Sequence, residues 1–260
     1  RSREPLRLVT LGGFTVWRNG VPVPEQAFER QKARALLATL LCARAPVHRE
    51  ALVESLWPTL SPERGLAALH STLYALRRAL EPGLSRRESS SLVVAEGQAY
   101  RLVLGEEDEW DVQSFLALAR APGGDEPDGA VLERLLEAEA AYAGPFLPEW
   151  PYAEWAEPLR TEVEETHRLV LERLAGALAR GGQPGAAIAR YRRLIALEPE
   201  REGWHRALMR VYADAGERAL ALRQYHACRA VLRKRLGVEP SRETRALYAD
   251  LLRDDAGGGA

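Results

Sequence analysis

The sequence predicts a mainly α-helical chain with a small β component, divided into two parts. Three observations carry that expectation. Of the residues, 46% are hydrophobic and only 7% of the chain is aromatic, a Leu- and Ala-built composition that suits packed helices. The stretch Ser61 to Glu81, SPERGLAALHSTLYALRRALE, is a helix with both ends written in it. Ser61 can cap it through the hydroxyl, Pro62 sits where a missing N–H costs nothing, Glu63 suits the positive end of the dipole, and Pro82-Gly83 stops it. Finally, Leu174/Leu208, Ala179/Ala213, Gly182/Gly216, Ala187/Ala221 and Tyr191/Tyr225 all recur at one offset of 34 residues, the period of stacked tetratricopeptide (TPR) helix pairs.

Taken in order, Leu6 to Gly12 alternates as a half-buried strand, Phe14 to Trp17 reads as its partner, and Asn19-Gly20 turns the chain into a third strand at Val21 to Val23. From Glu29 the period changes to a helix carrying Ala33, Leu36, Leu37, Leu40 and Leu41, with Arg30, Lys32 and Arg34 in its first turns, until Pro46. A short helix runs about His48 to Trp57, and Pro58 to Pro62 leads into the long one. There Leu66, Leu69, Leu73, Leu76 and Leu80 fall on one stripe that must be buried. The opposite side carries Arg64, Ala67, Ser71, Tyr74, Ala75 and Arg78, with His70 and Arg77 on its flank. None of these is acidic, so the face offers hydrogen bonds and positive charge, which phosphates and base edges accept. The polar tract Ser85 to Ser91, with Arg86 and Arg87, reads as a mobile loop, and Leu92 to Leu104 as a hairpin with its tip at Ala95 to Ala99.

Sheet, three helices and a terminal hairpin, in that order, make a winged helix-turn-helix. The motifs Arg34-Ala35-Leu36-Leu37, Leu56-Trp57-Pro58, Leu76-Arg77-Arg78-Ala79-Leu80 and Tyr100-Arg101-Leu102 resemble the OmpR/PhoB class of winged helix. Within that class they look like the version found in the Streptomyces antibiotic regulatory protein (SARP) family. The resemblance implies that Pro62 to Glu81 is the recognition helix and Val94 to Arg101 the wing. It matches His70, Ser71 and Ala75 to base-facing positions, and Ala67, Thr72, Tyr74 and Arg77 to backbone-facing ones.

A division after Gly105 is expected, giving a winged-helix DNA-binding domain at 1–105 and a helical domain at 106–260. The acidic run Glu106 to Glu109 reads as a solvated link, Trp110 to Phe115 starts a new helical pattern, and Pro122 to Gly129 is turn-forming. Helices follow at about 130–143, 152–180, 184–197, 201–215, 218–236 and 241–253, stacking into a short superhelix with a groove. The stretch Gly144 to Trp155 with Leu236 to Ser241 looks like the bacterial transcriptional activator domain that follows the winged helix in the same regulators. Its aromatics Trp150, Tyr152 and Trp155 are expected to cover the end of the first helix pair rather than to form a ligand cage.

The formal net charge of −1 conceals an imbalance. Residues 1–105 hold fifteen Lys and Arg against nine Asp and Glu, and the remainder 21 against 28, so polyanion binding belongs to the first part. No apolar run approaches the roughly 18 residues of a membrane span, and the two cysteines, Cys42 and Cys228, lie inside helical patterns. A cytoplasmic protein is expected, and the start at Arg1 reads as a trimmed chain or a piece of a longer one. No phosphate loop, nucleophile elbow or metal-ligand spacing occurs, and His167, His205 and His226 share no i, i+4 relation. Neither an enzyme, a cofactor nor a metal is expected.

The reading that follows is a sequence-specific transcription activator. His70, Ser71 and either Arg64 or Arg78 reach base edges, while Tyr74, Arg77, Arg30, Lys32 and the wing around Gln98 and Arg101 hold phosphates. About six such contacts give a salt slope near −5, flattened by loss of Arg77. The family resemblance implies protomers paired on promoter direct repeats and contact with RNA polymerase. The alternatives are a TPR scaffold whose first domain binds protein, or a sensor whose groove takes an effector. The DNA reading requires Ser71, Tyr74 and Arg78 to stay uncovered.

Overall fold

The computed structural model describes residues 4–29, 31–84, 88–120 and 128–253. The opening alternation becomes strand β1 (Leu6–Val9), antiparallel to β2 (Thr15–Arg18), which turns at Asn19-Gly20 into β3 (Val21–Pro22). Both turn residues have positive φ, 49° and 76°, the geometry that lets a two-residue hairpin follow the strand twist. Helices α1 (Gln31–Cys42), α2 (Arg49–Leu56) and α3 (Pro62–Leu80) follow, then a hairpin of β5 (Val93–Glu96) and β6 (Ala99–Leu102). Its loop is only Gly97-Gln98, tighter than the alternation suggests. Leu36, Leu37, Leu52, Leu69, Leu76 and Leu80 are buried together with Leu92 and Val93, so one core unites helices and hairpin.

Two short strands are invisible as periodicity. β4 (Val47–His48) pairs with β6, and β7 (Glu109–Trp110) lies parallel to β1, completing the sheet order β3-β2-β1-β7. The expected acidic link is therefore part of the first sheet. Asp108 accepts the Leu6 amide at 2.8 Å. Asp111 accepts the amides of Thr10 at 2.7 Å and Leu11 at 2.8 Å, and also the Thr10 hydroxyl, which in turn accepts the Trp110 indole N–H. Carboxylates here satisfy backbone donors at the end of a buried strand, a task that a reading by charge alone assigns to solvent.

The chain clusters into two compact units, Arg1–Ala117 with Ala141–Glu164, and Leu118–Ala140 with Glu165–Ala260. The expected boundary after Gly105 thus falls inside the first unit. Helix α4 (Asp111–Ala119) begins there, and residues 144–150 return to β1's end, with Leu147 N–H on the Thr10 carbonyl and Phe14 N–H on the Glu149 carboxylate. Trp150 packs edge-on against Phe14 at 5.3 Å and leans on Trp155. These tryptophans close the opening sheet rather than a helix pair, and Tyr152 packs on nothing, being 95% exposed.

The second unit holds α5 (Asp128–Ala141) up to Ala140, α6 (Glu157–Arg180) from Glu165 onward, α7 (Pro184–Leu197), α8 (Glu202–Asp214), α9 (Arg218–Leu236) and α10 (Arg242–Arg253). Its 34-residue period is exact down to the backbone. Gly182 N–H bonds the Ala179 carbonyl and Gln183 N–H that of Leu178; Gly216 and Glu217 do the same to Ala213 and Tyr212. Gly182 and Gly216 are both left-handed, Ala187 and Ala221 fully buried, so a repeat read from five identities is a repeat in three dimensions. The stretch Leu236 to Ser241 is a docking device. Gly237 ends α9, Glu239 pairs with Arg229 and Arg233, and Ser241 N–H and the Thr244 hydroxyl bind Glu202 of α8. Stacking of Tyr248 on Tyr225 at 4.0 Å completes the seat of α10. Both cysteines are free, and burial pushes each thiol up to about 12. Among the described residues no metal-ligating cluster occurs, and no helix is long and apolar enough to cross a membrane.

Two predictions follow from these contacts. Asp111→Ala leaves the Thr10 and Leu11 amides without acceptors and should destabilise the chain by roughly 2–4 kcal/mol; a urea midpoint equal to wild type would contradict the role given to that carboxylate. His167 is buried, and desolvation, with Arg193 and Arg168 adding repulsion against Glu139, lowers its pKa to about 4. A depressed histidine binds its proton better unfolded, so stability is full above about pH 6.5 and falls on acidification towards pH 4. Burial lowers His205 too, against the Pro199 carbonyl on its Nε2, which favours the protonated ring, while its Nδ1 faces the Gln224 amide. Replacing His167 with Asn should shrink the loss of thermal stability between pH 7.5 and 5, by on the order of 2 kcal/mol.

Candidate nucleic-acid interface

Helix α3 is amphipathic for a simple reason. Leu69, Leu73, Leu76 and Leu80 face α1 and α2 and are all buried, while Leu66 is half-buried near the start. Ser61 occupies the N-cap position with extended backbone, but its hydroxyl makes no capping bond; Pro62 and the Glu63 charge remain as start signals. Gly65, unremarked in the pattern, decides how closely α2 approaches. A Cβ placed there would sit 2.2 Å from Val53 Cγ1, inside any permissible contact.

The outward face holds much of what the sequence assigns to it, with instructive exceptions. Arg64 and His70 are exposed and, among the described residues, without hydrogen-bond or ion-pair partners, as is Lys32 on α1. Tyr74 is 44% exposed, with the Arg78 guanidinium 6.0 Å from its ring centroid. Arg78 itself lies 3.6 Å from Glu29, both side chains more than half exposed, a pair that a polyanion can open at little cost. The hydroxyl of half-buried Ser71 donates to the Ala67 carbonyl at 2.9 Å. Its proton is thereby engaged, which leaves the oxygen's lone pairs as its acceptor capacity. Ser71, Tyr74 and Arg78 are not covered by the protein, as the duplex-facing reading requires.

Ala75 and Thr72 depart from the positions matched to them. Both are 1% exposed, and Thr72 bonds the Ala68 carbonyl at 2.8 Å. The packed arc of α3 is wider than the leucine stripe, because Ala75 and Thr72 are small enough to meet neighbouring elements directly. Arg34, grouped with Arg30 and Lys32 by sequence, points inward to the Phe14 carbonyl at 2.7 Å and pairs with Glu25. Arg30 lies outside the described residues, as do Arg86 and Arg87. Arg77 is half-buried and donates to the Val93 carbonyl of β5 at 3.0 Å. One arm of its guanidinium is thereby engaged within the unit.

The hairpin is held on both flanks. Val47 and His48 pair with Tyr100 and Ala99, and the Gln98 carbonyl accepts the Arg49 amide at 2.8 Å. At its other edge, Ser90 and Ser91, expected to be loose, bind the Glu81 carboxylate. The Gln98 side chain is exposed, and Arg101 pairs across the hairpin with Glu96 at 2.5 Å, about half exposed. Exposed cations and donors therefore occur on α1, α3 and the hairpin of one compact unit, a distribution suited to a phosphate backbone with base edges between.

Comparison with known proteins is consistent in kind. The bacterial transcriptional activator domain profile matches residues 110–252. The transcriptional regulatory protein MoaR1 of Mycobacterium tuberculosis is 30% identical over 227 residues, covering 85% of this chain and 72% of its own. EmbR, a transcriptional regulatory protein of the same organism, is 28% identical over 247 residues, 94% of this chain and 62% of EmbR. The regulatory protein AfsR of Streptomyces coelicolor is 30% identical over 260 residues, 96% of this chain but 24% of AfsR. A solved structure of M. tuberculosis EmbR in complex with a low-affinity phosphopeptide superposes with a TM-score of 0.78 at 27% identity, over 96% of this chain and 66% of that one.

The close crossing of α2 and α3 is directly testable. Gly65→Ala should destabilise the chain by about 1–3 kcal/mol, and Val53→Ala in the same chain should recover part of that loss. Additive destabilisation by the two substitutions would show that the crossing is not limited at this contact.

Proposed function

Because this chain belongs to the SARP family of transcription regulators, we propose that it binds promoter DNA sequence-specifically through α3 and activates transcription. Residues 1–105 are the DNA-binding winged helix in this reading, and residues 106–260 the activator domain. The observation that carries it is the bare face of α3. Arg64, His70, Ser71, Tyr74 and Arg78 stay accessible while the leucines of the same helix are buried. With α3 in the major groove, His70, Ser71 and Arg64 or Arg78 meet base edges. Ser71, its proton engaged, accepts from an amino group of adenine or cytosine. Tyr74, Arg30, Lys32, Gln98 and Arg101 hold the backbone.

With Arg77 set aside, three cations, Arg30, Lys32 and Arg101, remain to neutralise phosphates, and the affinity should fall with salt on a log–log slope of about −2.7. Lys32→Ala should weaken all duplexes alike and flatten the slope by about 0.9. Ser71→Ala should instead change which base is preferred at one position. A selection from random duplexes followed by titration over salt measures all three. Failure of the wild-type chain to retard any duplex at low salt would reject the reading in favour of a protein-binding scaffold.

The helical repeat pairs protomers on direct repeats and contacts RNA polymerase in this proposal, supported by the activator-domain match and the stacked repeat. In vitro transcription from templates bearing one or two repeats tests it. Activation should need two; equal activation from one would remove the pairing.

A further inference from the structure

We infer that Arg77 is a positioning residue that locks the wing to the recognition helix, rather than a phosphate ligand. The inference deepens the proposed DNA-binding reading and, for its DNA measurement, rests on it. The last turn of α3 holds the start of the hairpin twice. Arg77 Nη2 donates to the Val93 carbonyl at 3.0 Å, and one turn later Glu81 accepts the Ser91 amide at 3.1 Å and hydroxyl at 2.8 Å, and the Ser90 hydroxyl.

Geometry separates Arg77 from the helix's other cations. Its Nε is buried and, among the described residues, faces no hydrogen-bond partner, whereas Arg64 and Arg78 are exposed. A guanidinium is planar, so fixing Nη2 on one carbonyl with Nε inside fixes the direction of the whole fork. The carbonyl it holds is one residue from Val94, and Val94 stands opposite Arg101 in the β5–β6 register. On the far edge β6 is already tied to β4. The hairpin is therefore clamped by helix α3 on one side and by the start of α2 on the other, and Arg101 and Gln98 inherit their positions from that clamp. A two-stranded ribbon is marginal by itself, which is why its placement depends on such bonds.

The test uses the full chain with Arg77→Met, which keeps an unbranched apolar stem and removes every donor. In the free protein, amide exchange at Val94 to Leu102 should quicken about tenfold, while amides of β1 and β2 keep their protection; unchanged exchange in the hairpin overturns the clamp. On DNA, Arg77→Met should weaken binding in the wild-type background. In a background carrying both Gln98→Ala and Arg101→Ala it should change neither affinity nor salt slope, because the wing contacts it positions are already gone. A further loss there of the same factor, with a slope flatter by about 0.9, would make Arg77 a phosphate ligand and reject the inference. If the wild-type chain retards no duplex, the DNA reading falls, and the exchange measurement still decides whether the clamp exists.

Discussion

Everything at the candidate interface depends on holding α3 firmly while leaving one side of it bare. Burial of Leu69, Leu73, Leu76 and Leu80 supplies the attraction, but a leucine stripe alone would let the helix roll. Rolling is prevented at particular points. Gly65 admits Val53 so that α2 closes on the first turns, Arg18 donates to the Ala79 carbonyl at 2.8 Å, and Arg77 and Glu81 grip the hairpin. Small residues at 72 and 75 widen the packed arc. What remains outward is a narrow band containing Arg64, His70, Ser71, Tyr74 and Arg78.

Charge in the first unit divides between structure and surface. Arg18, Arg34 and Arg77 each donate to a backbone carbonyl, and Asp108, Asp111, Glu81 and Glu149 each accept backbone amides. Such bonds replace water at chain ends and crossings that secondary structure leaves unpaired. Among the described residues Lys32 and Arg64 have no such partner, while Arg78 meets a surface carboxylate and the Tyr74 ring and Arg101 a surface carboxylate. A count of positive charge in residues 1–105 cannot tell these groups apart, since the same guanidinium serves either purpose.

The second unit follows a different logic. Its helices repeat because each pair must present the same small residues to the next, and Ala187/Ala221 and Tyr191/Tyr225 mark that shared surface. The last described helix, α10, is seated through Glu202, Ser241, Thr244 and the Tyr225–Tyr248 stack. Polar bonds dominate this seat and fix the angle of the helix.

By itself the sequence determined the order of the helices and longer strands, the helix limits to within a few residues, the 34-residue repeat, the family and the outward placement of Arg64, Ser71, Tyr74 and Arg78, with His70 on the flank. These are properties of local periodicity, turn chemistry and motif order, which neighbouring residues encode among themselves. Only the tertiary structure decided that Asp108 and Asp111 accept amides from the two ends of the first strand, and that Trp150 packs on Phe14. It alone showed Ala75 and Thr72 to be covered, and Arg34 and Arg77 to be engaged with carbonyls. Each of these turns on a partner more than a dozen residues away, or on the width of a packed face. A side chain's chemistry is written in the chain, but which group it meets is settled when distant segments come together.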